Sequence, residues 1–228
     1  MNVTFDILRR KSADDKPYIQ TVTIDSDRCV TVAEALDVIN AEILADDPVQ
    51  WERSCNQKKC GACAMLINGR PRLACDTKLS ELGKGRIKLE PLKKFPTVRD
   101  LIVDRSVIFD DLKKFGAWLD ENAASDNTGI SYEASRCIQC GCCLEVCPNF
   151  YPDGNFFGAS VLAVSSRLIS ETPDEHSKRL YGAYGEHFYR GCGKSLSCKD
   201  ICPVGIDTER LMVNSNAAAV WKRRKRKK

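Results

Sequence analysis

Cys55, Cys60 and Cys63 follow one another as C-x4-C-x2-C, the spacing with which plant-type loops hold a two-iron, two-sulfur cluster, and Cys75 is available as the fourth thiolate. A loop can wrap thiolates around a cluster only where its backbone comes close to the sulfurs. Gly61 removes the side chain that would obstruct this approach and leaves backbone amides to donate to the sulfides. Arg53, Lys58 and Lys59 flank the loop. Positive charge beside an anionic cluster favours its reduced form and raises its potential. The alternative is that these are solvated surface charges, weakly coupled to anything.

Further on, Cys137, Cys140, Cys143 and Cys147 stand as C-x2-C-x2-C-x3-C followed by Pro148. This is the bacterial ferredoxin run, in which three cysteines bind one cluster and the fourth reaches across to another. Cys192, Cys198, Cys202 and Pro203 repeat it at a constant offset, but the position equivalent to Cys140 is Ser195. Crossing the fourth cysteines assigns Cys137, Cys140, Cys143 and Cys202 to a four-iron cluster and leaves Cys147, Cys192 and Cys198. Three thiolates point to a three-iron, four-sulfur cluster, with a four-iron alternative in which Ser195 supplies oxygen to the last iron. Cys29 and Cys142 are then left as small buried apolar side chains. Zinc is the competing chemistry, but structural zinc uses ligand pairs separated by a longer spacer than this run allows. His176 and His187 sit in no Cys-x-His pairing, so Rieske or haem ligation has no support.

The elements that must carry these cysteines can be read from periodicity. Val3, Phe5 and Ile7 alternate with polar residues, and a second extended stretch from Tyr18 to Ile24 makes a hairpin with them. Thr31 and Glu34 have capping-box spacing, and Val32, Leu36, Ile39 and Ile43 share one face of a helix over 32–44. After the cysteine loop come a strand from Ala64 to Ile67, an Asn68-Gly69 turn, a return strand from Arg70 to Cys75 and a last strand from Ile87 to Leu89. A sheet, a crossing helix and a cysteine loop suggest a β-grasp ferredoxin domain, with Pro91 and Pro96 marking an extended linker. Beyond it, Ile108, Phe109, Leu112, Phe115, Trp118 and Leu119 make an amphipathic helix. Segments 156–169 and 208–220 also read as helical, the last capped by Asp207.

At 228 residues, with 43% hydrophobic and 29% charged content, the chain suits two domains. Its 13 cysteines, without a basic-then-apolar leader pattern, favour metal ligation over disulfides. No apolar stretch approaches the roughly 18 residues of a membrane span, so a cytosolic or peripheral protein is expected. The net charge of +4 comes from the all-basic run 222–228, and the body is mildly acidic. That run is a solvated tail or, alternatively, a patch attracted to anionic lipid headgroups. No nucleic-acid-binding fold accompanies it.

A plant-type loop, a linker and a ferredoxin pair short of one ligand closely resemble, over nearly the whole chain, the iron-sulfur subunit of succinate:quinone oxidoreductases. This family comprises the succinate dehydrogenases and fumarate reductases. Arg53-Ser54-Cys55, Cys60-Gly61-Ala62-Cys63, Glu90-Pro91-Leu92, Phe95-Pro96 and Asp100-Leu101-Ile102-Val103-Asp104 carry the likeness besides the cysteines. The resemblance implies an α+β protein: a β-grasp domain over 1–103, a helical ferredoxin-like domain over 104–221 and the tail 222–228. It implies electron transfer between the flavin of an FAD-containing flavoprotein subunit and quinone at a membrane-anchor subunit of cytochrome b type. The chain would then be peripheral on the cytoplasmic face. Many members carry a tryptophan after the Cys-Pro and a histidine after the second run's first cysteine, near quinone; Tyr151 and Gly193 stand there here. Pro148 and Tyr151 border quinone in this reading, the alternative being a site elsewhere on the anchor. Asn56 replaces a common arginine, which leaves the two-iron potential open. No nucleotide-binding glycine loop or nucleophile motif is present, so dicarboxylate chemistry is expected on a partner. Two rival readings are an iron-sulfur subunit of another respiratory oxidoreductase and a zinc-stabilised binding protein.

Overall fold

The first strand sets the frame, because its alternation leaves Val3, Phe5, Ile7 and Arg9 buried while the residues between them face outward. The structure is a computed structural model that describes residues 2–83, 85–119, 121, 123–124, 128–173 and 176–221; the basic tail lies outside the described residues. The chain divides into two compact units, Met1–Arg105 and Ser106–Lys228.

In the first unit, β1 (Asn2–Arg9) pairs antiparallel with β2 (Tyr18–Asp25), Asn2 facing Asp25 and Arg9 facing Tyr18. Helix α1 (Val32–Val38) starts at the expected capping box. Glu34 N–H donates to Thr31 Oγ1 at 3.2 Å, and the Glu34 carboxylate accepts from Thr31 N–H at 3.4 Å. The helical path runs on through a wider turn to Ile43, closed by Leu44 N–H on the Ile39 carbonyl at 2.8 Å. Strands β3 (Ala64–Ile67) and β4 (Arg70–Leu73) are joined by Asn68-Gly69, whose φ angles of 51° and 74° are those a tight hairpin requires. Adding β5 (Ile87–Glu90) completes the order β2-β1-β5-β3-β4, with β1 and β5 parallel. Phe5, Ile7, Val32, Leu36, Met65, Ile67, Ile87 and Leu89 are fully buried and form the core that the β-grasp reading calls for.

The expected extended linker is instead folded. Strands β6 (Thr97–Arg99) and β7 (Ile102–Val103) pair with each other, and Asp100 between them is 1% exposed. Its carboxylate accepts from Arg10 N–H and Gln50 N–H, both at 2.9 Å, and lies 3.1 Å from Arg9 Nε. A buried carboxylate is tolerated only when so paired, and removing one partner of such a set costs about 3–5 kcal/mol. Proline spacing gives no hint of this tie.

The second unit is helical: α2 (Ser106–Phe115), α3 (Ile130–Ser135), α4 (Cys142–Glu145), α5 (Gly158–Glu171), α6 (Lys178–Tyr184), α7 (Ser197–Ile201) and α8 (Thr208–Asn216). Buried residues occur all round α5, as a central helix demands, and α2, α3, α4, α6 and α8 pack on it. Small side chains let α5 and α8 approach, and their buried hydroxyls satisfy each other, Ser166 Oγ lying 2.8 Å from Ser215 Oγ. Asp207 caps α8 as expected, accepting from Arg210 N–H at 3.1 Å. Helix α2 departs from its reading, because it ends at Phe115 and Gly116 follows at a φ of 71°; Trp118 and Leu119 lie beyond it, exposed. Among the described residues no helix is long and apolar enough to cross a membrane.

Candidate metal centres

In the loop between α1 and β3, Gln57 N–H and Lys59 N–H each donate to Cys55 Sγ at 3.3 Å, and Lys58 N–H reaches Cys75 Sγ at 3.4 Å. These amides converge because Asn56 and Lys58 take φ angles of 52° and 60°. A left-handed residue set between right-handed ones turns successive N–H groups to one side and makes an anion-binding concavity. The Gln57 amide first, then that of Lys59, pulls the Cys55 thiol down to about 7. Burial pushes Cys63 the opposite way, up to about 12, so its sulfur becomes a thiolate only where a cation replaces the lost water. Of the flanking cations, Arg53 pairs with Asp37 and Lys58 with Asp76, the latter at 2.7 Å. That is how surface charges behave.

The first ferredoxin run repeats the device. Gln139 and Gly141 have φ angles of 51° and 86°, and the Gln139 amide opposes the burial that raises Cys137 to about 11. Cys137, Cys140, Cys143 and Cys202 line one cavity, joined by Cys198 and walled by Ala159, Ala163 and Ile206. Cys202, from the second run, accepts from Ile206 N–H at 3.4 Å. Burial raises Cys143 well above a free thiol.

The second run does so a third time. Lys194 and Leu196 have φ angles of 58° and 57°, and burial of Cys192 is opposed by the Lys194 amide. Cys147, Cys192 and Cys198 line a neighbouring cavity together with Ser195, Thr208 and Met212. Thr208 Oγ1 lies 3.4 Å from Cys198 Sγ. In the first loop an amide two residues past the leading cysteine donates to its sulfur, and in both ferredoxin runs the amide at the same position favours the leading thiolate. Non-glycine residues in the left-handed region cost about 1–2 kcal/mol each, and the gain that offsets them is donation to sulfur. Anionic iron-sulfur groups fit such cradles.

Cys142 is fully buried at the start of α4 and Cys29 is 7% exposed. Pro148 and Tyr151 are both exposed. A β-carbon on Gly193 would lie 2.9 Å from Asn149 Oδ1, and Asn149 is held by its Nδ2 donating to the Gly191 carbonyl at 2.9 Å, so a larger side chain at 193 displaces it. Sequence reasoning missed Arg105, whose Nη1 and Nη2 donate to the Gly61 and Ala62 carbonyls at 3.0 and 3.1 Å and which also pairs with Glu52. No spacing rule links residue 105 to a loop at 61. The tie at Asp100 is what brings them together.

Comparison with known proteins bears on both units. A family model described as a 2Fe-2S iron-sulfur cluster binding domain matches residues 4–110, and one described as a 4Fe-4S dicluster domain matches residues 133–206. The chain is 36% identical over 222 residues to a succinate dehydrogenase iron-sulfur subunit of Bacillus subtilis, covering 90% of this chain and 87% of that one. It is 30% identical over 213 residues to a fumarate reductase iron-sulfur subunit of Wolinella succinogenes, covering 86% and 87%. Its fold matches a chain of the Mycobacterium smegmatis Sdh1 complex with a TM-score of 0.75 at 23% identity, covering 97% of each chain.

Proposed function

The chain belongs to the iron-sulfur subunits of succinate dehydrogenases and fumarate reductases, and from that premise we propose how its residues divide the task. It is an electron-transfer subunit of an oxidoreductase complex and carries a two-iron, a four-iron and a three-iron cluster. Bound in series, these groups pass single electrons without any bond-making on the protein. Cys55, Cys60, Cys63 and Cys75 hold the two-iron cluster within residues 1–103. Cys137, Cys140, Cys143 and Cys202 hold the four-iron cluster, and Cys147, Cys192 and Cys198 the three-iron cluster, within residues 104–221. The observation that carries this reading is the gathering of the cysteines: backbone amides donate to Cys55 and Cys75 in the first loop, and the seven assigned in the second unit line two neighbouring cavities there. Those amides stabilise the charge added on reduction, and the apolar walls keep water from it.

The electrons come from, or go to, the flavin of an FAD-containing flavoprotein subunit, and quinone at a membrane anchor of cytochrome b type, the chain lying on the cytoplasmic face. Pro148 and Tyr151 border the quinone. The dicarboxylate is handled by the flavoprotein and not on this chain.

The test is chemical analysis and electron paramagnetic resonance of the anaerobically purified full chain. Iron and acid-labile sulfide in the amounts of one two-iron, one four-iron and one three-iron cluster are expected, with a paramagnetic three-iron signal when oxidised. Zinc in place of iron, or an oxidised sample without signal, overturns the assignment. Turnover of succinate by flavin-free chain overturns the division of labour.

A further inference from the structure

We infer that Arg105 is a positioning residue of the two-iron site, holding the turn between Cys60 and Cys63 and setting the reduction potential there jointly with Glu52; this rests on the ligand reading above. Its guanidinium is 14% exposed. One planar group spans two successive carbonyls, Gly61 at 3.0 Å and Ala62 at 3.1 Å, and its Nη2 also meets the Glu52 carboxylate. Only arginine has a fork that can do this, and lysine carries the same charge without it. Because each peptide is planar and trans, fixing those two carbonyls toward Arg105 points the Ala62 and Cys63 N–H groups away from it. The turn is thereby locked with its acceptors on the guanidinium side and its donors on the other.

The placement is built rather than accidental. Leu101 N–H donates to the Gln50 carbonyl at 3.1 Å and the Asp100 carboxylate accepts from Gln50 N–H at 2.9 Å, so the β6–β7 ribbon is registered against the strand of chain entering the cysteine loop. Glu52 lies two residues beyond Gln50 and Arg105 four beyond Leu101, and their side chains meet past this anchored pair. Reduction adds one negative charge to the site, which the guanidinium favours and the Glu52 carboxylate opposes; being partly buried, Arg105 is screened less than Arg53 or Lys58.

The experiment is a redox titration of the two-iron paramagnetic signal in the full chain within its complex, for the parent, Arg105→Gln, Arg105→Lys and Glu52→Gln. Arg105→Gln is expected to weaken reduction about tenfold, about 59 mV for a one-electron couple. Glu52→Gln is expected to strengthen it several-fold, and Arg105→Lys to recover most of the loss with an altered line shape, since charge returns and the fork does not. Shifts of Arg105→Gln and Glu52→Gln in the same direction, or both under about twofold, overturn the inference. Should Arg105→Gln lose the cluster, Glu52→Gln decides alone, and its failure to raise the potential is decisive against. Absence of the two-iron signal in the parent instead sinks the ligand reading.

Discussion

Ser195 decides what kind of cluster the second ferredoxin run can hold. It lines the same cavity as Cys147, Cys192 and Cys198, at the position where the first run has Cys140. Its hydroxyl lies 3.3 Å from that of Ser197. A neutral hydroxyl is a poor ligand beside thiolates, because soft sulfur suits iron-sulfur centres and a serine must be deprotonated at far greater cost than a cysteine. Ser195→Cys supplies the missing thiolate at a backbone position already shaped by Lys194 and Leu196. The expected outcome is conversion of the three-iron centre into a four-iron one: iron content rises by one per chain, and the oxidised paramagnetic signal disappears. Persistence of that signal at full intensity, with unchanged iron, counts against the placement of residue 195 on the cluster.

At the scale of elements, the regular pieces were legible and the irregular ones were not. The capping box at Thr31, the Asn68-Gly69 hairpin and the cap at Asp207 each carry their own local chemistry, and all three are present. Helices α3, α4 and α7 have no periodicity to read, being only 6, 4 and 5 residues long. Packing places them: α3 and α4 lie on α5, and α7 lies against α4 and α8. The parallel pairing of β1 with β5 was equally hidden, since alternation tells which face is buried and not which strand lies alongside. Helix α5 shows how a single position can join these levels. Gly158 opens it at a φ of 70°, and a β-carbon there would collide with the buried Leu144 side chain of α4 and lie 3.5 Å from Phe150 Cδ2. Gly158→Ala is therefore strained in backbone and in packing together, and a loss of about 2 kcal/mol in unfolding free energy is expected, of which about 1–2 is the left-handed penalty alone. Because Leu144 lies between Cys143 and Cys147, the four- and three-iron signals should broaden while the two-iron signal stays as it was. Denaturant titration with paramagnetic resonance on one sample checks both.

Over the whole molecule, the two units differ in what holds them together, and removing the iron exposes the difference. The first unit has a five-stranded sheet with a continuous backbone ladder and a fully buried apolar face, and its cysteine loop is an appendage to that frame. In the second unit the segments between α5 and its neighbours are short turns of helix, and isolated helices under about 12–15 residues are marginal in water. Their cysteines carry raised thiol pKa values from burial. On the proposed ligand set, neutral thiols return and repulsion is relieved once the metal is gone, but nothing replaces the bonds that would draw Cys137, Cys140, Cys143 and Cys202 together, because binding energy at such a site is folding energy. Hydrogen exchange after anaerobic stripping of iron, with thiols kept reduced, should show fast amides over 130–147 and 192–206 while β1, β3, β5 and α1 keep their protection. Uniform loss across both units would mean that the clusters hold the sheet as well, and full retention in the cysteine segments would mean that α5 alone is enough to order them.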